Sequence, residues 1–168
     1  DSIADTRRTD GNIRLMAFLQ KDWYVLISND FLQNEEQKLA LRSNTKLGVG
    51  KFILDNHELY LALSGGLASN NERYTEDANP NRFTAEAFGG VELNMFDVGD
   101  LSLRTSAKAY PNISDIGRVR VDFDFEVKYD LPKDLYIKAN TTVNFDNRPV
   151  DGASDVDYVF VVGIGWSW

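Results

Sequence analysis

The sequence contains no cysteine and a single histidine, His57. The lack of cysteine excludes a disulfide framework, a thiol nucleophile and a Cys-rich zinc site. A zinc site or a Ser-His-Asp site would have to use His57, which lies in the short polar sequence DNHE, away from the longer loops where a barrel enzyme would carry its site. We therefore expect a solvated turn residue at His57, and a protein that is not an enzyme and has no cofactor.

Basic residues and long apolar runs are also scarce. The chain carries 18 Lys and Arg against 26 Asp and Glu, a formal net charge of -8, which argues against a nucleic-acid partner. No run approaches the roughly 18 apolar residues of a membrane-spanning helix. The acidic sequences NNERYTEDANPN and NRPVDGASDVD lack the ligand spacing of an EF-hand, so they predict solvated loops rather than Ca²⁺ sites.

Two-residue alternation, in contrast, runs through the whole chain. It is clearest over residues 119–129, VRVDFDFEVKY, where apolar and charged side chains alternate at every position. Successive side chains of a strand point to opposite faces, so the pattern predicts an all-β chain. We expect a single domain, with a polar loop or tail at residues 1–11 and strands from residue 12 to 168. The predicted strands span residues 12–20, 22–32, 39–54, 58–68, 82–96, 101–110, 119–129, 135–145 and 157–168.

The closing segment DYVFVVGIGWSW has one bulky apolar face and one small face. The bulky face consists of Tyr158, Phe160, Val162, Ile164, Trp166 and Trp168. A wholly apolar face on a last strand is typical of a strand that contacts lipid and closes a barrel. We interpret Trp166 and Trp168 as the signal by which barrel-assembly machinery recognises the last strand.

The connections between the predicted strands alternate between tight and long. Tight ones lie around residue 21 and at 55–57, 97–100 and 132–134, and longer polar ones at 33–38, 69–81, 111–117 and 147–155. Short periplasmic turns and longer extracellular loops alternate in the same way in outer-membrane barrels. Such barrels have an even number of strands, whereas nine are visible. We therefore expect an odd number of further strands upstream.

The alternation does not by itself say which face is inside. A soluble lipocalin-like barrel would bury the apolar face, around an apolar ligand, and wet the charged one. A transmembrane barrel would invert this arrangement, and three features favour it: strands of about 9 to 12 residues, small residues mixed with charges on the polar face, and aromatic residues near strand ends, as in an interfacial girdle. The aromatic residues of this predicted girdle are Trp23, Phe31, Phe83, Phe96, Tyr110, Tyr129, Tyr136, Phe145, Tyr158, Trp166 and Trp168.

In the membrane interpretation, charged side chains line the lumen. We expect the cations of the sixth and eighth strands to pair across the sheet with the acidic residues of the seventh. Such pairs would either brace the barrel or line a selective passage. The predicted lumen charges are Arg42, Lys46, Glu86, Glu92, Arg104, Lys108, Arg120, Asp122, Asp124, Glu126, Lys128 and Lys138.

Three stretches resemble the family of salt-induced outer-membrane proteins, barrels without an assigned activity. They are LRSNTKLGVGKFILDNHELYLALSGGLA, RVRVDFDFEVKYDLPKDLYIKANTTVNFDNRP and the closing VFVVGIGWSW. The resemblance implies about three further strands upstream, so that this chain would be the C-terminal part of a roughly twelve-strand antiparallel up-and-down transmembrane β-barrel. It carries over no catalytic residue.

From these observations we expect a non-enzymatic bacterial outer-membrane β-barrel protein with a structural or narrow-channel role. Its partners would be the lipid bilayer, the barrel-assembly machinery during biogenesis and a further envelope component. The soluble lipocalin-like barrel stays open as the alternative.

Overall fold

The protein forms one antiparallel β-sheet in which every strand pairs with its neighbours in sequence. The computed structural model describes residues 7–35, 37–75 and 81–166. Within these ranges there is no helix, and therefore none long and apolar enough to cross a membrane. The strands are β1 (Arg8–Phe18), β2 (Trp23–Asn34), β3 (Leu39–Asp55), β4 (Leu59–Tyr74), β5 (Arg82–Val98), β6 (Leu101–Pro111), β7 (Val119–Leu131), β8 (Leu135–Asp146) and β9 (Val156–Trp166).

All nine predicted strands form, but several run beyond their predicted ends. β1 begins at Arg8, so residues 8–11 belong to a strand and not to the polar tail predicted over residues 1–11. Residues 1–6 lie outside the described part of the chain. β4 continues to Tyr74, six residues past its predicted end. Both extensions are polar, and they were predicted as loops because polarity was taken as a sign of solvent.

The tight turns lie at one end of the sheet and the longer connections at the other. Lys21–Asp22 and Lys133–Asp134 each have two consecutive residues with positive φ, which suits the twist of a tight hairpin. Strand extension shortens the predicted long loop between β2 and β3 to residues 35–38, no longer than the turn at 19–22. The strict alternation of short and long connections therefore fails at the first pair. We call the two ends the turn end and the loop end.

The sheet is curled, with a polar concave face and an apolar convex face. Side chains of strands that are not neighbours meet across the concave side: Lys46 of β3 contacts Tyr110 of β6, and Glu86 of β5 contacts Arg120 of β7. Most of the buried residues are polar or charged, whereas leucine, valine and aromatic side chains of the convex face stay exposed. This is the inverse of a water-soluble core, which buries apolar side chains and exposes charges.

A β-bulge changes the predicted face of one residue. Strict two-residue alternation predicts Leu39 and Leu41 on the same, apolar face, but the register between β3 and β4 shifts between them. Leu39 is consequently buried, with 2% of its surface exposed, while Leu41 keeps the outward phase of the rest of β3. A bulge inserts one extra residue into a strand, so it reverses the face of everything beyond it.

Glycines on the concave face let large aromatic rings lie flat against the sheet. The ring of Tyr24 covers Gly50 on the neighbouring strand, and the ring of Tyr136 covers Gly165. Tyr136 and Tyr110 thus point inward and do not belong to an outer aromatic girdle as predicted. A ring over a glycine restores the packing that the missing side chain would otherwise lose.

The close approach of β3 and β4 predicts a sharp difference between two glycines. A Cβ atom at Gly66 would overlap the carbonyl oxygen of Leu47 and the Cα of Gly48, whereas a Cβ at Gly89 meets nothing within 4 Å. We expect Gly66→Ala to lower the free energy of unfolding by about 1–3 kcal/mol, the usual cost of overpacking. Gly89→Ala is the matched control and should change it little. Urea titration of the refolded protein in detergent measures both, and equal effects would contradict the packing account.

Candidate functional site

The strand register places the twelve predicted lumen charges on the concave face. Each of these twelve residues lies opposite another concave-face residue on the neighbouring strand. The structure brings together Glu86 with Arg120, whose Oε2 and Nη2 atoms are 2.6 Å apart, and Glu126 with Lys138 at 2.8 Å. The remaining charges find other partners or face open space.

At the loop end, four charged side chains form a buried group that we call the loop-end cluster: Arg42, Glu72, Arg118 and Asp146. Arg42 Nη2 lies 2.8 Å from Glu72 Oε1, and Arg118 Nη2 lies 2.9 Å and 3.1 Å from the two Glu72 oxygens. Arg118 Nε donates to Asp146 Oδ1 at 3.1 Å. Two cations and two carboxylates from four separate chain segments thus balance one another.

Burial makes this balance necessary. The Glu72 side chain has no exposed surface, and Arg118 retains 1%. A buried charge is tolerated only when it is paired and its hydrogen-bonding groups are satisfied. Tyr74 is a neutral partner of Glu72: its hydroxyl donates a hydrogen bond to Glu72 Oε2 at 2.7 Å. Burial lowers the pKa of Arg118, but the hydrogen bonds and charges of Asp146 and Glu72 outweigh it, so the pKa lies above its usual value and Arg118 stays charged.

Three members of the loop-end cluster were not predicted as lumen charges. Glu72 falls in the sequence that predicted a solvated acidic loop, and Arg118 and Asp146 lie at the edges of two other predicted loops. One signal was present: Asn70 and Glu72 continue the two-residue phase of the concave residues Gly66 and Ala68. Continued alternation through polar residues is therefore informative where a lumen is polar.

A second group lies deeper, around the buried ring of Tyr110. Lys46 Nζ lies 3.1 Å from the Tyr110 hydroxyl and also bonds to Asp30. The Arg120 guanidinium stacks on the same ring, 4.9 Å from its centroid, while it holds Glu86. The nearness of both cations to one aromatic ring adds cation–π attraction to the ion pairs. Lys46 and Arg120 are thereby neutralised and held in place.

Beside these two groups, the concave side encloses an open cavity of about 750 Å³, which we call the lumen cavity. Residues from every strand except β4 line it. Its charged lining residues are six cations and six carboxylates: Arg8, Arg14, Arg42, Arg104, Lys108 and Arg120, with Asp10, Asp30, Glu92, Asp122, Asp124 and Glu126. The cavity is therefore polar and close to neutral overall.

The expected pairing of β6 with β7 is only partly realised. Arg104 lies opposite Glu126, and Lys108 opposite Asp122. Within the described residues, however, neither cation forms an ion pair. Glu126 binds Lys138 of β8 instead, because that strand presents a cation on the same face. The cations of β6 point into the lumen cavity.

The two edges of the described sheet approach each other at the loop end. Arg8 of β1 bonds to Asp157 of β9, and Asn34 Nδ2 donates to the same carboxylate at 2.7 Å. Arg14 of β1 also reaches across to Glu92 of β5, at 3.2 Å. Side-chain bonds between strands so far apart in the sheet hold the curled shape.

The remaining predicted positions lie away from this interior. His57 is exposed in the turn between β3 and β4, and no group of three or more metal-ligating side chains occurs in the described residues. Trp166 ends β9 on the convex face with its side chain exposed. Trp168 lies outside the described residues.

A comparison with protein families gives one match, to the family of proteins of unknown function called DUF481, over residues 1–168. The chain belongs to this family. No curated protein matches the chain. The polar interior is the part of this DUF481 member that offers charged groups to a solute.

The loop-end cluster predicts that Glu72 is critical for stability. Glu72→Gln would leave Arg42 and Arg118 with a single buried carboxylate between them, and breaking a buried pair in this way costs about 3–5 kcal/mol. We expect a loss of that size in the free energy of unfolding, measured by urea titration in detergent. Glu58→Gln, at an exposed turn, is the control and should have no measurable effect. A loss for Glu72→Gln no larger than that of the control would contradict the proposed bracing.

Proposed function

We propose that the protein is a non-enzymatic β-barrel protein of the bacterial outer membrane, with a narrow-channel role in addition to a structural one. The observation that carries this proposal is the inverted burial: charges face inward and large apolar side chains face outward. In a bilayer, the outward side chains would contact lipid. The strands of a closed or nearly closed sheet would satisfy one another's backbone hydrogen-bonding groups.

Water is a poor solvent for the convex face. Five apolar side chains of the convex face are each more than 60% exposed: Leu47, Leu67, Phe83, Tyr158 and Ile164. Soluble monomers rarely expose apolar patches larger than a few hundred Å², since each Å² left in water forgoes about 25 cal/mol. A lipocalin-like barrel would need apolar side chains inside for its ligand, whereas the concave face is charged. The membrane barrel is therefore the better proposal.

Two further observations support the outer membrane. The described strands run from 11 to 17 residues, enough for the tilted crossing of about 9–11 residues that a bilayer requires. The resemblance to salt-induced outer-membrane proteins suggests the same compartment. On this proposal the barrel-assembly machinery recognises the closing segment of the chain through Trp166 and Trp168.

The interior has a braced part and an open part. The loop-end cluster and the Tyr110 group fill the interior near the loop end with paired charges. The lumen cavity leaves open space lined by every strand except β4, and charged side chains in a narrow passage discriminate between ions. This open space is why we propose a narrow channel and not a purely structural barrel.

Arginine substitutions on the convex face distinguish lipid from water. Leu67 is 63% exposed near the middle of β4, and Leu67→Arg should cost about 2–4 kcal/mol if that position faces the bilayer midplane. Asn71→Arg lies on the same face of the same strand nearer the loop end, and should cost far less. Urea titration in phospholipid vesicles measures both. In a soluble protein Leu67→Arg would be neutral or would improve solubility, and that result would contradict the proposal.

Conductance tests the channel role. Asp124 lines the lumen cavity, so Asp124→Asn should lower the ratio of cation to anion permeability in planar bilayers. The control Asp55→Asn removes a carboxylate from the end of β3 at an exposed position and should leave this ratio unchanged. If the wild-type protein inserts but does not conduct, the role is structural only.

A further inference from the structure

Among the residues that the structure describes, Arg104 and Lys108 are the two cations of the lumen cavity that form no ion pair with a carboxylate. The other four are neutralised by Asp157, Glu92, Glu72 and Glu86 respectively. Arg104 and Lys108 lie four residues apart on β6 with Ser106 between them, and all three line the cavity. Two cations and a hydroxyl on one strand offer several hydrogen-bond donors to a carboxylate.

The carboxylates across from them form hydrogen bonds but no ion pair among the described residues, although Arg42, Lys46 and Arg120 are near enough to attract Asp122. Asn144 Nδ2 donates to Asp122 Oδ1 at 2.9 Å, and the Thr142 hydroxyl lies 3.0 Å from Asp124 Oδ1. Unlike Glu126, which binds Lys138, these two carboxylates have no cation within ion-pair distance among the described residues. Two cations of β6 that form no ion pair therefore face two such carboxylates of β7.

A buried acceptor lies beside Asp122. Asn144 is 8% exposed and lines the cavity, and its Oδ1 atom has no hydrogen-bond partner among the described residues. Its amide nitrogen is already committed to Asp122. Leaving a buried acceptor unpaired costs about 1–3 kcal/mol, which a ligand with N–H donors would recover. An ammonium group supplies such donors, and its positive charge would also form ion pairs with Asp122 and Asp124.

The spacing of these strand positions suits a short peptide. Ser106 pairs with Asp124, so Arg104 and Lys108 are at positions diagonal to Asp124, about 7–8 Å away, while Lys108 is directly opposite Asp122. The termini of a dipeptide lie about 7 Å apart, since an extended residue spans about 3.3–3.6 Å. A cavity of about 750 Å³ falls within the size range of small-molecule sites.

We propose that the lumen cavity binds short zwitterionic peptides, with the carboxylate on Arg104, Ser106 and Lys108 and the ammonium on Asp122, Asp124 and Asn144. The inference rests on the proposed function and deepens it, because it names the class of solute that the barrel would admit. A peptide carrying both charges meets complementary groups at both ends, whereas a singly charged solute leaves one pair unneutralised.

A matched series of three peptides tests the proposal. L-alanyl-L-alanine carries both charges, its N-acetyl derivative lacks the ammonium, and its C-terminal amide lacks the carboxylate. We expect saturable binding of the first to the full chain refolded in detergent, and at least tenfold weaker binding of the other two, by saturation-transfer NMR titration. Arg104→Gln/Lys108→Gln should reduce binding of the zwitterion at least tenfold.

The control variant Arg73→Gln/Lys21→Gln removes two exposed cations outside the cavity and should bind like the wild type. Asp122→Asn/Asp124→Asn should remove the preference for the free ammonium, and heat-dependent gel migration checks that each variant is folded. Equal binding of the three peptides would overturn the inference. So would an absence of binding by a protein that conducts ions, and in that case the channel proposal survives. Failure to insert into bilayers would overturn the channel proposal alone.

Discussion

The pairing of buried charges inside the curled sheet is the constraint on which the rest of the structure depends. Glu72 forms ion pairs with two arginines, Arg42 and Arg118, and its side chain has no exposed surface. Where a curled sheet buries a charge away from solvent, as it does at Glu72, that charge must be neutralised locally. Cations and carboxylates therefore have to arrive at matching heights on strands that are distant in sequence. That requirement limits which register each strand can adopt.

Much of the fold followed from one pattern. Two-residue alternation predicted all nine strands, and it put the predicted lumen charges in a single phase along each strand. It could not predict strand ends, because polar residues such as Asn70 and Glu72 look like loop residues when water is assumed outside. It also missed the bulge beside Leu39, since an extra residue in a strand leaves no mark in composition.

The site was harder to predict than the fold. Neighbouring-strand pairs could be guessed from register, as for Glu126 with Lys138, but the loop-end cluster joins residues from β3, β4, the β6–β7 loop and β8. Such contacts depend on curvature, which arises from glycines, bulges and the shapes of many side chains together. Tyr110 illustrates the point: its position near a strand end suggested an interfacial aromatic residue, yet it is the centre of a cation-lined interior group. Sequence shows the face of a residue more readily than its neighbours.

The strand order from β1 to β9, without a crossover, has a consequence for how the protein acquires its shape. Each strand pairs with the one just made, so the backbone contacts can form hairpin by hairpin with little loop-closure entropy. Among the described residues, side-chain bonds such as Arg8 to Asp157 connect the ends of this series. The backbone pairing is thus local throughout, whereas the charge pairs of the interior join strands that are distant in sequence. A strand shifted by one residue would turn its charged side chains to the other face, away from these distant partners.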